Sequence, residues 1–247
     1  MELQEFFRQN SRVALAFSGG VDSAYLLYAA RRAGAKVKAY FIKTAFQPAF
    51  ELADARRLTE ELGAELAVLE LDVLGNDTVA SNPADRCYHC KRMLFTRLCE
   101  QAAAEGYPLV IDGTNASDDA DDRPGMRAIR ELGVRSPLRE CGIAKDEVRR
   151  LSREAGLFTW DKPAYACLAT RIPTGEVITA EKLEKVERAE DALFGMGFTD
   201  FRVRLLGGAA RLQLPAEQML RAIEQREGIR AVLAAWFDTV LLDLKER

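Results

Sequence analysis

The sequence predicts an α/β protein: a parallel sheet covered by helices on both faces, followed by a smaller α+β domain. Three observations carry that expectation. Through the first two thirds of the chain, short apolar runs alternate with segments of helical periodicity. Single glycines at positions 34, 63 and 106 punctuate the ends of those helical segments. Past an ordered connector with two prolines, Lys162–Pro173, further helical and strand-like segments read as a small α+β domain, so the expected domains are 1–170 and 171–247.

Each element follows from its residues. Val13–Phe17 is an unbroken apolar run and predicts a buried strand, and Asp22–Ala33 carries helical periodicity up to Gly34. Val37–Ile42 and Leu66–Leu71 predict two further strands, separated by a helix over Ala49–Leu62 that Gly63 stops. A helix from about Cys90 to Glu105 ends at Gly106 and leads to a strand over Leu109–Asp112; a charged helix covers Lys145–Ala155. In the smaller domain the pattern predicts a helix over Ala180–Met196, strands over Phe201–Leu205 and Arg211–Leu214, a helix from Ala216 to about Gln225, and a strand near Val240–Leu244. Ligands of such sheets bind beyond the carboxyl ends of the strands, so Ser18–Ser23, Lys43-Thr44 and Gly113-Thr114-Asn115 should converge on one crevice.

The stretch Ser18-Gly19-Gly20-Val21-Asp22-Ser23 joins a strand, a turn and a helix N-terminus. Small glycines let backbone N–H groups approach an anion closely, Ser18 and Ser23 add hydroxyl donors, and the first helical turn adds a positive dipole end. A Walker-type loop requires a lysine that is absent here, and the spacing of a dinucleotide loop is absent too. Kinase-like phosphoryl transfer and nicotinamide chemistry therefore lose ground. The plain structural alternative is a serine-glycine turn in which Asp22 caps the helix.

Composition sets further bounds. With 48% hydrophobic and 30% charged residues the chain has a globular balance, and it has no apolar run long enough to span a membrane. No basic segment followed by an apolar one opens the sequence, so a cytoplasmic protein is expected. A net charge of -3 gives no general attraction to nucleic acid, which argues against a nucleic-acid partner. Five cysteines, an odd number, argue against a disulfide framework and for metal binding, reactive thiols or packing.

Cys87-Tyr88-His89-Cys90 places two thiols three positions apart, just before the predicted helix, where the dipole favours thiolates. A single C-x-x-C is compatible with a redox pair, half a zinc site or part of an iron-sulfur site. A thioredoxin-like redox role fits least, because the serine-glycine loop occupies the position after the first strand. A closed zinc site would draw on Cys87, Cys90, Cys167 and either Cys141 or His89, whereas three thiolates on a cubane cluster would leave one iron open. Cys167 lies in the connector between Lys162 and Arg171, two cations expected to lower its pKa. Cys99 shares an apolar helical stripe with Phe95 and Ala102 and is expected to be a packing residue.

Several passages together resemble one family. The hexapeptide at 18–23 is similar to the signature of the PP-loop ATP pyrophosphatases, which split ATP into AMP and pyrophosphate while adenylating an acceptor. Taken with Arg86–Lys91 (RCYHCK), Asp112–Asp118 (DGTNASD), Arg123–Gly125 (RPG), Lys162–Gly175 (KPAYACLATRIPTG) and Phe201–Arg204 (FRVR), the chain resembles the LarE family over nearly its whole length. The resemblance implies a PP-loop domain and an ATP- and Mg²⁺-dependent sulfur transferase. Its substrate would be pyridinium-3,5-biscarboxylic acid mononucleotide, whose carboxylates are adenylated and converted to thiocarboxylates for a nickel-pincer nucleotide cofactor that serves lactate racemase and related enzymes. A homohexamer built of trimers is implied as well.

The resemblance also implies roles for residues. Ser18, Gly19, Gly20, Asp22 and Ser23 would hold the nucleotide with Thr44, Gly113 and Thr114, and Asp22 would help to hold Mg²⁺. Cys87, Cys90 and Cys167 match the family members that hold a [4Fe-4S] cluster with a sulfide on its open iron, so catalytic sulfur transfer is expected over the version in which the connector cysteine gives up its own sulfur. Lys91, Arg202 and Arg204 resemble a basic pocket for the substrate phosphate, with solvated surface charge as the alternative. By its residues alone, Asp118, in a loop with Asp119, Asp121 and Asp122, suits Mg²⁺ or a ribose, with a solvated acidic run as the alternative, and Gln213 stands where an acidic residue is expected in some members of the family. Competing readings are a tRNA thiolase of the same superfamily, an amide-forming PP-loop ligase, and a non-enzymatic nucleotide sensor with a zinc clip.

Overall fold

Strand β1 (Arg12–Ala16) follows a short helix α1 (Leu3–Gln9) and leads into α2 (Val21–Arg32), and the alternation continues through β2 (Lys36–Lys43), α3 (Ala49–Glu61) and β3 (Glu65–Glu70). Helix α4 (Asp77–Ala80) precedes the long α5 (Arg86–Ala104), strand β4 (Val110–Ile111) and helices α6 (Pro124–Glu131), α7 (Pro137–Glu140) and α8 (Lys145–Glu154). A 3-10 turn at Leu168–Arg171 comes before α9 (Ala180–Gly195), β5 (Arg202–Leu206), β6 (Ala209–Gln213), α10 (Ala216–Glu224), α11 (Arg226–Leu233) and β7 (Val240–Leu242). The structure is a computed structural model that describes residues 2–118 and 124–247. Arg123 of the RPG passage and the expected acidic residues Asp119, Asp121 and Asp122 lie outside the described residues.

The described chain divides into two compact units, one comprising 1–72 with 85–162 and the other 73–84 with 163–247. The sequence places its boundary at 170; the contacts place it before Pro163 and add 73–84 to the second unit. Asn82 gives the local reason. Buried and at a positive φ of 56°, it donates from Nδ2 to the Pro173 carbonyl at 2.8 Å while its own carbonyl accepts from the Gly175 N–H at 2.8 Å.

The first unit is a parallel four-stranded sheet in the order β3-β2-β1-β4 with helices on both faces. Alternation along the strands sends Val13, Leu15, Val37, Ala39 and Phe41 into one apolar cluster with Phe6, Phe7, Leu26, Leu27 and Val148, whereas Ala14 and Tyr40 join a second cluster with Leu98, Ala102, Met126 and Ile129. Two apolar faces explain why both must be covered. Because β2 and β3 extend to one side of β1 and β4 lies on the other, the strand order reverses between β1 and β4. At such a switch point the loops that follow two neighbouring strands diverge and leave a crevice.

The second unit carries a three-stranded sheet in the order β5-β6-β7, in which β5 and β6 pair antiparallel and β6 and β7 parallel. Phe198, Phe201, Val203, Leu212 and Leu233 are among its buried apolar side chains.

Candidate active site

The loop after β1 is shaped by its own small residues. Gly19 adopts φ +71°, and a Cβ there would lie 3.2 Å from both the Ala55 nitrogen and the Glu51 oxygen of α3, so the left-handed turn and the close approach both favour glycine. The hydroxyls of Ser18 and Ser23 lie 3.2 Å apart; Ser18 Oγ accepts from the Gly20 N–H, and Ser23 Oγ donates to the Gly20 carbonyl at 3.1 Å. Gly20 is the N-cap of α2 and supplies no side-chain cap, which leaves the first amides of the helix as open donors. The capping reading of Asp22 is thereby replaced: it sits in the first turn, and its carboxylate faces other partners.

Those partners come from the loop after β4 and from α8. Asn115, buried, donates from Nδ2 to Asp22 Oδ1 at 3.2 Å, and Lys145 Nζ lies 2.5 Å from Asp22 Oδ2. Ser117 links the two: its N–H donates to Asn115 Oδ1 at 2.8 Å, and its Oγ accepts from the Lys145 N–H at 2.9 Å. Gly113 brings this loop against α2, since a Cβ on it would lie 2.9 Å from the Ser23 nitrogen. The β1 and β4 loops, two of the three segments expected to converge, thus meet at the switch point.

Other expected nucleotide residues have local commitments. Thr114 Oγ1 donates to Asp112 Oδ2 at 2.7 Å, and Thr44 Oγ1 donates to Gln47 Oε1 at 2.6 Å while accepting from the Phe46 N–H. Both hydroxyls shape their own turns. Asp118 accepts from the Asn115 N–H at 3.0 Å and closes the β4 loop on itself.

Lys145 went unremarked in the sequence as anything but a helix start. A second lysine reaches the same loop: Lys162 Nζ lies 2.5 Å from Asp54 Oδ2 and 3.4 Å from the Gly19 carbonyl. Together they bring to the loop the cationic charge that a Walker lysine would otherwise supply. No spacing rule links either lysine to its aspartate, 123 and 108 residues away.

The C-x-x-C pair lies inside α5, which starts at Arg86, four residues before the expected start; Asp85 is its N-cap. Cys87 is exposed and Cys90 buried on the same face of the first turns, and Arg86 Nη2 donates to Cys87 Sγ at 3.5 Å. Tyr88 and His89 serve the surroundings, with Tyr88 Oη donating to Glu131 Oε2 at 2.7 Å and His89 Nε2 placed 3.1 Å from Asp85 Oδ2. Gly125 of α6 leaves room for the Lys91 stem, since a Cβ there would lie 2.8 Å from Lys91 Cδ. Cys99 and Cys141 pack against the two apolar clusters, and burial pushes both thiols up, away from thiolate chemistry.

In the second unit, Cys167 is half-buried and N-caps the 3-10 turn. Of the two cations expected to act on it, Lys162 pairs with Asp54, whereas the fully buried Arg171 pairs with Glu190 at 2.8 Å and also donates to the Cys167 carbonyl at 3.3 Å. Arg202 is not a solvated charge. It is buried, donates to the Phe201 and Ala164 carbonyls at 2.6 Å each, and is pulled down to about 10 by burial and then by the nearby Arg171. Arg204, half-buried, donates to the Thr170 carbonyl at 2.5 Å and to Gln213 Oε1, and Gln213 Nε2 in turn donates to Asp243 Oδ2 at 2.9 Å. Gln213 therefore works as a hydrogen-bonded bridge between an arginine and an acid.

Among the described residues, no group of three or more His, Cys, Asp or Glu side chains could hold a metal ion. Cys87 and Cys90 supply half of a thiolate site, and within their unit no third ligand joins them among the described residues. Two thiolates alone make neither a cluster site nor a closed zinc site. Among the described residues, no helix is long and apolar enough to cross a membrane.

A parallel α/β unit with an amide-lined Ser-Gly-Gly loop at its switch point defines a PP-loop protein, and residues 12–86 match the model of the family described as queuosine biosynthesis protein QueC. The chain is 37% identical to the pyridinium-3,5-bisthiocarboxylic acid mononucleotide synthase of Lactiplantibacillus plantarum, over 83% of this chain and 75% of that protein, and it belongs to that family, LarE. It is also 41% identical to an uncharacterized protein of Synechocystis, over 90% of this chain and 83% of that one. A more distant similarity, 26% identity over 61% of this chain and 54% of the relative, links it to the tRNA-specific 2-thiouridylase MnmA of Thermotoga petrophila.

Proposed function

We propose that this protein is an ATP-dependent sulfur transferase that adenylates the carboxylates of pyridinium-3,5-biscarboxylic acid mononucleotide and converts them to thiocarboxylates. The observation that carries the reading is the uncapped N-terminus of α2 beneath the Ser18–Gly20 loop, with Asp22 held by Asn115 and Lys145, in a chain of the LarE family.

A carboxylate oxygen is a poor leaving group, so sulfur cannot displace it directly. The substrate carboxylate first attacks the α-phosphorus of ATP; the bond to the bridging oxygen breaks, and pyrophosphate leaves with the electron pair. Amides at the start of α2 and the ammonium groups of Lys145 and Lys162 answer the charge that accumulates on the leaving group. Mg²⁺ bound with the nucleotide would add to this neutralisation, and Asp22 is the loop carboxylate suited to hold it, since this ion takes few protein ligands beside substrate phosphates. A sulfur nucleophile then attacks the acyl carbon, and AMP departs.

Cys87, Cys90 and Cys167 are the proposed sulfur-handling residues, and Lys91 and Arg204 the proposed anchors of the substrate phosphate; Arg202, expected beside them, is held by the Phe201 and Ala164 carbonyls and is proposed to support Arg204's strand instead. The [4Fe-4S] form of the sulfur carrier belongs to the proposal through the three-thiol resemblance alone. Anaerobic purification with iron and sulfide assay tests it: about four irons per chain supports a cluster. Absence of iron, with loss of one sulfur and two hydrogens from Cys167 after turnover, replaces it with a sacrificial cysteine. The whole reading is tested by incubating the protein with ATP, Mg²⁺ and the dicarboxylate nucleotide, where pyrophosphate release that requires the nucleotide supports it. Salt-sensitive co-purification of tRNA with no activity on the nucleotide would favour a tRNA thiolase.

A further inference from the structure

Glu190 of α9 is a buried carboxylate with four donors on its two oxygens. Arg171 Nε donates to Oε1 at 2.8 Å and Arg171 Nη2 to Oε2 at 2.9 Å, the Val203 N–H of the edge strand β5 reaches Oε1 at 2.9 Å, and Tyr165 Oη donates to Oε2. Both members of the ion pair are almost wholly withdrawn from solvent, with side-chain exposures of 0% for Arg171 and 1% for Glu190. Desolvating two charges is costly, and apolar residues of the same volume often fill such a place as well or better. A pair kept there points to a positional task, and the remaining arm of the arginine shows which. Arg171 Nη1 turns to the connector, donating to the Ala166 carbonyl at 2.7 Å, the Cys167 carbonyl at 3.3 Å and Thr170 Oγ1 at 3.0 Å. The Cys167 carbonyl also accepts from the Thr170 N–H at 3.0 Å and from Thr170 Oγ1 at 2.9 Å. Tyr165, two residues before the cysteine, has two guanidiniums against its ring, that of Arg171 at 4.4 Å and that of Arg202 at 5.0 Å.

We propose that Glu190, acting through Arg171, is a positioning residue that fixes the Tyr165–Cys167 backbone and so sets the direction in which the Cys167 sulfur is presented. The inference rests on the proposed sulfur-handling role of Cys167. It assigns the buried pair to the geometry of the connector, because Arg171 Nη1 donates to the Ala166 and Cys167 carbonyls and to Thr170 Oγ1.

The test uses the full chain, three variants of the network and Cys167→Ser as the reference. Arg171→Lys keeps the charge facing Glu190 but loses the fork that reaches the connector carbonyls; Glu190→Gln keeps the shape and loses the charge; Tyr165→Phe removes a single donor and leaves the pair in place. Melting temperature identifies the variants that fold, and Tyr165→Phe keeps the test open if the buried-pair variants do not. Two readouts are then compared: sulfur transfer at saturating substrate, and the rate at which iodoacetamide alkylates Cys167 against Cys87 by peptide mass spectrometry. Expected for Arg171→Lys is a loss of sulfur transfer of about tenfold or more, as a misdirected nucleophile gives, with the KM for ATP unchanged and the Cys167 alkylation rate altered relative to Cys87. Tyr165→Phe is expected to move both readouts in the same directions by less. Folded Arg171→Lys or Glu190→Gln protein with wild-type sulfur transfer and wild-type Cys167 alkylation overturns the proposal, as does a folded Tyr165→Phe that moves neither readout when the other two variants do not fold. Wild-type sulfur transfer by Cys167→Ser would instead overturn the functional reading, and the alkylation rates would still decide the positioning claim.

Discussion

Lys145 Nζ lies 2.5 Å from Asp22 Oδ2, joining the N-terminus of α8 to that of α2 across 123 residues of chain. The contact is partly exposed, with side-chain exposures of 30% and 22%, so its worth to stability is about 1 kcal/mol or less. Its consequence for an anion in the loop is larger, because Lys145 is a cation held at the helix end where pyrophosphate would leave. Lys145→Gln should lower pyrophosphate release about 10- to 100-fold while the melting temperature stays close to that of the wild type. A folded Lys145→Gln protein with unchanged release would remove the lysine from the adenylation chemistry.

Gly113 makes a different kind of demand. An added Cβ would lie 2.9 Å from the Ser23 nitrogen and 3.2 Å from its Cα, and backbone cannot step aside as a flexible side chain can. Gly113→Ala should cost about 1–3 kcal/mol in urea unfolding and weaken ATP binding by calorimetry, because the β4 loop is pushed off α2. Gly125→Ala provides the contrast: there the clash is with Lys91 Cδ, on a chain that can swing away, so the stability loss should be smaller.

Much of the fold was legible because punctuation and period agree. Gly34, Gly63 and Gly106 all adopt positive φ just past their helices, and the apolar runs at 13–17 and 37–42 became β1 and β2. Helix α1 carried its signal in Leu3, Phe6 and Phe7, all buried at helical spacing, but it is only seven residues long. Helix α6 opens on Pro124, a usual first helical residue that went unused. The site was half legible. Local motifs identified the Ser-Gly-Gly loop and the β4 loop, whereas the pairs Lys145–Asp22 and Lys162–Asp54 depend on chain folding that no short window contains. The same holds for the attachment of 73–84 to the second unit through Asn82.

Arg202 and Arg204 should separate under substitution. Arg202→Gln leaves the buried Phe201 carbonyl short of a donor, while the exposed Ala164 carbonyl keeps the one from Arg247, and it should cost about 1–3 kcal/mol in thermal or urea unfolding. Arg204→Gln, at a half-buried position, should raise the KM for the pyridinium nucleotide with a smaller change in stability. Equal effects of the two on KM, with no stability difference, would contradict the structural part of this assignment.

Acid should weaken the first unit through Glu105. The contacts from Lys38, Gln101 and Tyr40, in that order, hold its carboxyl down at about 2 against 4.5 for an ordinary glutamate. A lowered folded pKa stabilises the fold above the unfolded value, and that contribution is lost as pH falls from about 4.5 through about 2. The carboxylate is partly exposed, so about 1–2 kcal/mol is expected at neutral pH. Glu105→Gln should therefore unfold at lower urea than the wild type at pH 7, with the gap largely closed by pH 2.

The central claim is that ATP activates a substrate carboxylate and that Cys167 is needed for the sulfur which replaces AMP. Pyrophosphate and thiocarboxylate should be counted in the same reaction, with the wild type and with Cys167→Ser, on pyridinium-3,5-biscarboxylic acid mononucleotide. The account predicts one pyrophosphate per sulfur installed by the wild type, and pyrophosphate release without thiocarboxylate from Cys167→Ser. Thiocarboxylate formed by Cys167→Ser at the wild-type rate, or made by the wild type without pyrophosphate release, would contradict it.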